Sequence, residues 1–80
     1  MDKNAIMDFV METINNITDI DFSEMYPDCS VVDDLSMDSL EIMSMIGKLE
    51  QHYSVKFVTR ELRTIVTISD IADYVIKKSN

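Results

Sequence analysis

The chain has no tryptophan, and among its 80 residues it holds one cysteine, one histidine, one proline and one glycine. Each scarcity excludes something. A lone cysteine, Cys29, cannot form an internal disulfide. Together with the lone His52 it cannot build a zinc site of the usual four-ligand kind. Covalent and metal staples are therefore absent from a chain short enough to need them, and stability must come from packing. Abundant Ile, Leu, Val and Met with so little Gly and Pro points to a helical bundle. The length suits one small domain over residues 1–80.

Long apolar runs are also missing. The opening segment "MDKNAIMDFVMETINN" is interrupted by Asp8 and Glu12, no secretory signal is visible, and no stretch approaches a membrane span. The cytoplasm is the expected location, and a free cysteine agrees with it. Basic residues are scarce in one half only. Residues 1–47 carry eleven acids against Lys3 alone, a net of −10, whereas residues 48–80 carry four acids and six bases, a net of +2. An acidic front half repels nucleic acid and anionic lipid, so no nucleic-acid or membrane partner is expected. It suits partners with basic docking surfaces, although simple solubility would explain the charge as well.

What is present is helical periodicity. Ile6, Phe9, Val10, Ile14 and Ile17 predict a first helix over about residues 3–16. Residues 18–36 read as a long connection, pinned across the bundle by Phe22, Met25, Val31 and Val32. A second helix starts after Asp38. This residue is a good N-cap, and Glu41 three positions on completes a near capping box. Ile42, Met45, Ile46, Leu49 and Tyr53 then form its core stripe. A short segment follows, with Thr59 as its cap and Leu62 and Ile65 as contacts. A last helix opens at Thr67 with Asp70 at N3, turns Ile71, Ala72, Val75 and Ile76 inward, and ends in Lys77 and Lys78, as the helix dipole prefers. The predicted fold is all-α: a small four-helix bundle of three main helices and one short one, with a long loop between helices one and two.

Ser39 is the residue of interest. A serine at a helix start commonly does no more than help the first turn. Here its neighbours differ from that ordinary case. Leu40, Met43 and Gly47 fall on the side of the second helix away from its core stripe, and two large apolar side chains should not face water without a reason. The free N–H groups and partial positive charge of a helix N-terminus suit a phosphate ester. Self-contained catalysis is excluded. His52, the one histidine, lies thirteen residues along the same helix, about 20 Å away at about 1.5 Å per residue. No G-x-S-x-G elbow surrounds the serine.

The segment "DDLSMDSLE", followed in order by "KLEQHYSVKF" and "TIVTISDIADYV", resembles the acyl carrier protein family, including peptidyl carrier domains, over nearly the whole chain. The resemblance implies that Ser39 carries 4'-phosphopantetheine, transferred from coenzyme A by a separate phosphopantetheinyl transferase. It also implies an acyl or aminoacyl cargo held as a thioester, put on by an acyl- or aminoacyl-loading enzyme and delivered to downstream acyl-processing enzymes. The chain itself would catalyse nothing and is expected to be a monomer. Asp38, Leu40, Glu41 and Met43 match docking positions of the family, and Ser44 and Gly47 occupy two more.

The chain also departs from the fatty-acid pattern of that family. Ser36 stands where a Gly is usual, Ser44 and Gln51 stand at acidic docking positions, and Gly47 and Lys48 replace a Met-like position and its neighbour. Lys56, Arg60 and Arg63 make the short third helix basic. These departures imply a specialised carrier in a fatty-acid/polyketide-type pathway. A carrier of aminoacyl groups, in peptide assembly or wall modification, and an unmodified helical adaptor remain the alternatives, although the intact "DSL" argues against the adaptor.

Other residues take simpler readings. The methionines, Met7, Met11, Met43 and Met45 among them, read as gap-filling core. Cys29 reads as a small packed hydrophobe, and His52 as solvent-facing. Gly47 costs a helix about 1 kcal/mol against Ala, so it is either tolerated drift or room for something approaching from outside. The segment opening with "DIDFSE" has Glu24 and Ser30 where an EF-hand loop needs its Gly and its bidentate Glu, which excludes an EF-hand there.

Overall fold

The structure is a computed structural model and describes residues 1–79. Three α-helices carry it: α1 (Lys3–Ile17), α2 (Ser39–Tyr53) and α3 (Ile68–Ser79). Two short 3-10 helices, Phe22–Glu24 and Thr59–Thr64, interrupt the connections, and among the described residues the β-pairing is confined to one isolated bridge, Ser30 with Thr67. The predicted all-α bundle of three main helices and one short one is what the chain forms. The short helix is of the tighter 3-10 kind, and the long loop holds a further 3-10 turn.

A carboxylate takes part at the start of each α-helix. Asp2 accepts from the Asn4 N–H at 3.0 Å to start α1. Asp38 and Glu41 form a complete capping box at α2, and Thr67 and Asp70 form one at α3. The ends are equally defined. The Thr18 hydroxyl donates to the Ile14 carbonyl at 2.7 Å, and Ser54 closes α2 in the left-handed conformation at φ 55°.

The core is one cluster. Ile6, Val10 and Ile14 of α1, Met45 and Leu49 of α2, and Ile68, Ile71 and Val75 of α3 are all but fully buried. The predicted stripes hold, with Ile42, Tyr53, Phe9, Ile17 and Ile76 only half-buried at its edges. Cys29 is fully buried, as its reading as a packed hydrophobe requires. Of the methionines, Met7 and Met45 are in the core and Met11 packs against it, whereas Met43 is exposed.

The long loop is pinned by different residues than expected. Met25 and Val31 are buried as predicted, but Phe22 and Val32 are exposed; Cys29, Leu35 and Met37 do that work instead. Their backbone is stitched to the approach of α3. The Val31 N–H donates to Val66, the Ile68 N–H to Cys29, and the Ser69 N–H to Pro27. Once the backbone paired there, alternate loop residues had to turn outward, and Val32 was one of them.

Thr59 is not a cap. Val58 holds the N-cap position of the second 3-10 helix with no side-chain bond. The Val58 N–H donates instead to the Tyr74 hydroxyl at 2.9 Å, and that hydroxyl donates to Glu61 at 2.6 Å. Tyr74 also stacks on Phe57 with centroids 4.7 Å apart. Buried Tyr74 thus anchors the short helix to α3. Tyr74 lies outside the helical spacing of Ile71, Ala72 and Val75, so periodicity alone does not mark it.

The Asp70 carboxylate is held below the usual carboxylate range, chiefly by the Thr67 N–H and then by that of Val66. A depressed carboxylate contributes stability above its unfolded value, near about 4, and that contribution is lost as pH falls through the folded value. Chemical denaturation followed from pH 7 down to about pH 2 should therefore show stability falling below about pH 4. Asp70→Asn should be less stable at neutral pH and should show a shallower acid slope.

Candidate functional site

The site forms where the long loop gives way to α2. Just before it, a turn folds back on Ser30: the Asp34 carboxylate accepts from the Ser30 N–H at 2.7 Å, and the Ser30 hydroxyl accepts from the Asp33 N–H at 3.0 Å. Ser36 then takes φ 57°, the left-handed conformation that a Gly adopts without strain. That accounts for the Gly usual at this position in the resembled family, and a serine fills it here at a cost of about 1 kcal/mol. The kink sends Met37 into the core, where it is 3% exposed and its N–H reaches the Val31 carbonyl.

Met37 inward puts Asp38, Ser39 and Leu40 outward. The Asp38 carboxylate accepts from the Glu41 N–H at 2.8 Å, and the Glu41 carboxylate accepts from the Asp38 N–H at 3.0 Å. Asp38 also accepts the Ile42 N–H at its carbonyl. These bonds leave the N–H groups of Ser39 and Leu40 without a partner among the described residues, and nothing there ties down the Ser39 hydroxyl. Ser39 is exposed, so a second protein can reach its oxygen.

The outer face of α2 is as the spacing predicted. Leu40 is 82% exposed and Met43 53%, with Ser44 and Gly47 beside them. A Cβ added at Gly47 would meet nothing within 4 Å, so no contact inside the fold demands the glycine. Glu41 is half-buried by its capping duty. His52 is exposed, but it stacks on Phe9 of α1 at 4.0 Å between centroids, which removes it further from any role near Ser39.

Beyond α2 on its loop-facing side lies a cavity of about 490 Å³. It is lined by Ile42 and Ile46 of α2, by the buried Val31 and Phe57, and by Leu62, Arg63 and Val66. This volume is in the range of small-molecule sites. The cavity was not foreseen. Its signal in the sequence was the surplus of apolar residues over 57–66, more than a short surface segment needs.

The comparisons with known proteins agree with this geometry. Residues 8–75 match the family model described as a phosphopantetheine attachment site. The acyl carrier protein of Myxococcus xanthus is 30% identical over 91% of this chain and 92% of its own. The meromycolate extension acyl carrier protein of Mycobacterium leprae is 35% identical over 94% of this chain and 65% of its own. An acyl carrier protein from Enterococcus faecalis has the same fold at TM-score 0.79 and 23% identity, covering 98% of this chain and 99% of that one. The holo acyl carrier protein of Geobacter metallireducens aligns at TM-score 0.74 and 33% identity, over 91% and 84%.

The fold and the helix-start site are thus those of a small helical carrier. The chain belongs to the acyl carrier protein family, the class of carriers that bear a covalently attached 4'-phosphopantetheine. The chemistry of the site fits that group: it offers an exposed hydroxyl, two open N–H donors at a helix start and an apolar cavity alongside.

Because the space around Gly47 is open, Gly47→Ala should stabilise the isolated protein by about 0.5–1 kcal/mol, seen as a rise of several degrees in the thermal midpoint. A drop in the midpoint would mean that the glycine serves the fold itself.

Proposed function

We propose that Ser39 is the attachment residue and that this carrier serves acyl cargo in a specialised fatty-acid/polyketide-type pathway. One observation carries the first part. Ser39 is an exposed hydroxyl, free of internal hydrogen bonds, on the first residue of a helix whose start is locked by Asp38 and Glu41. The Ser39 hydroxyl oxygen attacks the pantetheine-bearing phosphorus of coenzyme A, the pyrophosphate P–O bond breaks and adenosine 3',5'-bisphosphate leaves, while the hydroxyl proton passes to a base that a separate transferase supplies together with its metal. The Ser39 oxygen is then the ester oxygen of a phosphodiester. The open Ser39 and Leu40 N–H groups offer donors to that phosphate.

The cavity supports acyl over aminoacyl cargo. Its walls are largely Ile, Leu, Val, Met and Phe, which give an alkyl chain shelter from water and give a zwitterionic aminoacyl group little to bind. A specialised pathway is supported by the basic segment 56–63 and by similarity to a relative named for meromycolate extension. Asp38, Leu40, Glu41, Met43, Ser44 and Gly47 form the face on which the transferase and the loading and processing enzymes dock. Leu40 and Met43 supply the apolar contact. Ser44 and Gly47 allow a partner's backbone to come close. Among the described residues no helix is long and apolar enough to cross a membrane, and we place the carrier in the cytoplasm.

Incubation with coenzyme A and a broad-specificity transferase should raise the mass by one phosphopantetheine group, and Ser39→Ala should abolish the gain while leaving the helical circular dichroism intact. A gain that survives Ser39→Ala would move the attachment elsewhere. No gain with several transferases would favour the unmodified adaptor.

A further inference from the structure

Charge of both signs borders the cavity, and most of the basic charge is uncompensated. Among the described residues the ion pairs are Lys3 with Asp73 at 3.0 Å and Lys78 with Glu61 at 3.2 Å. Glu61, the acid of the second 3-10 helix, is therefore occupied. It takes the Tyr74 hydroxyl and the Lys78 ammonium, which together hold it below the usual carboxylate range. Glu50, near the end of α2, accepts the Phe57 N–H at 2.8 Å. Lys56, Arg60 and Arg63 are exposed and have no carboxylate within 4.0 Å among the described residues. Asp33 also lines the cavity, and Asp38 and Glu41 stand at the start of α2, the helix whose Ile42 and Ile46 line it as well.

Arg63 and Ile46 line the same cavity, so the basic edge borders the loop-facing flank of α2. At about 100° per residue, Met43 lies about 60° around the helix from Ile46, and Gly47 a further 40° or so. A protein that covers Met43 and Gly47, and that delivers a chain into the cavity, must come up against the 56–63 edge. Resting on the carrier reading above, we propose that the enzyme that loads the acyl group docks with a two-signed surface, placing its own carboxylates opposite Arg60 and Arg63 and its basic groups opposite Asp33, Asp38 and Glu41. Two signs fix orientation as well as partner. A uniformly basic docking surface meets repulsion at the 56–63 edge, and exposed charges of this kind act mainly on encounter and discrimination.

The test uses the holo protein and the enzyme that acylates it, isolated from the source cells by that activity. The double variant R60E/R63E should lower kcat/KM for loading about tenfold or more, through KM, and added salt should raise KM for the parent protein much more than for the variant. K77E, a charge reversal at the far end of α3, serves as the control for position and should change little. Transferase addition at Ser39 and the thermal midpoint, measured on every variant, separate docking from folding. Unchanged or faster loading of R60E/R63E would overturn the proposal while leaving the carrier reading intact. Failure of the parent protein to accept phosphopantetheine at Ser39 would instead remove the reading on which the proposal rests.

Discussion

Two carboxylates at the start of α2 decide where the Ser39 hydroxyl stands. Asp38 takes the Glu41 N–H and Glu41 takes the Asp38 N–H, so the helix can begin at Ser39 and nowhere nearby. Upstream, the left-handed Ser36 and the buried Met37 leave the chain one path into that helix. The proposed attachment at Ser39 asks for a residue that is accessible without being mobile, because an arm is aimed by its root. Exposure of Ser39 comes from its position, and rigidity comes from its neighbours on both sides. The same first turn carries Leu40 and, one turn on, Met43, so whatever reaches the hydroxyl also meets apolar surface.

The cavity depends on a second anchor at the opposite side. Tyr74, reaching from α3, holds Val58 and Glu61 and so holds the short 3-10 helix that walls the cavity off. A 3-10 helix makes poorer hydrogen bonds than an α-helix and is rarely long. The wall is therefore fastened at its Tyr74 contact and by Leu62 and Ile65 against the core, and Arg60 and Arg63 remain on the outside. The charge that sets this chain apart from an all-acidic carrier lies on the outer edge beside the cavity.

Much of this was legible in the sequence, for identifiable reasons. The α2 stripe of Ile42, Met45, Ile46 and Leu49, the capping pairs Asp38–Glu41 and Thr67–Asp70, and the outward turn of Leu40 and Met43 all follow from local periodicity and short-range bonding. The loop did not yield to that logic. Whether Val32 or Leu35 turns inward depends on the backbone pairing of Val31 with Val66, a contact between distant segments that no local pattern encodes. The cap at residue 59 failed because the short helix starts one residue earlier: Val58 is held in the N-cap position by a long-range bond from its N–H to Tyr74, and its carbonyl takes the Glu61 N–H. The cavity itself is a tertiary void between α2 and the 57–66 segment, visible beforehand only as an excess of apolar residues.

The central claim is that Ser39 sits exposed on a helix already formed, ready to be modified without rearrangement of the bundle. Comparison of the 15N–1H spectra of the unmodified and phosphopantetheinylated protein tests it directly. The account predicts amide shifts confined to Asp38–Met43 and the cavity rim, with Val10, Leu49 and Val75 in the core unmoved. Shifts spreading through α1 and α3 would show that the attachment residue becomes available only when the fold gives way, and would contradict it.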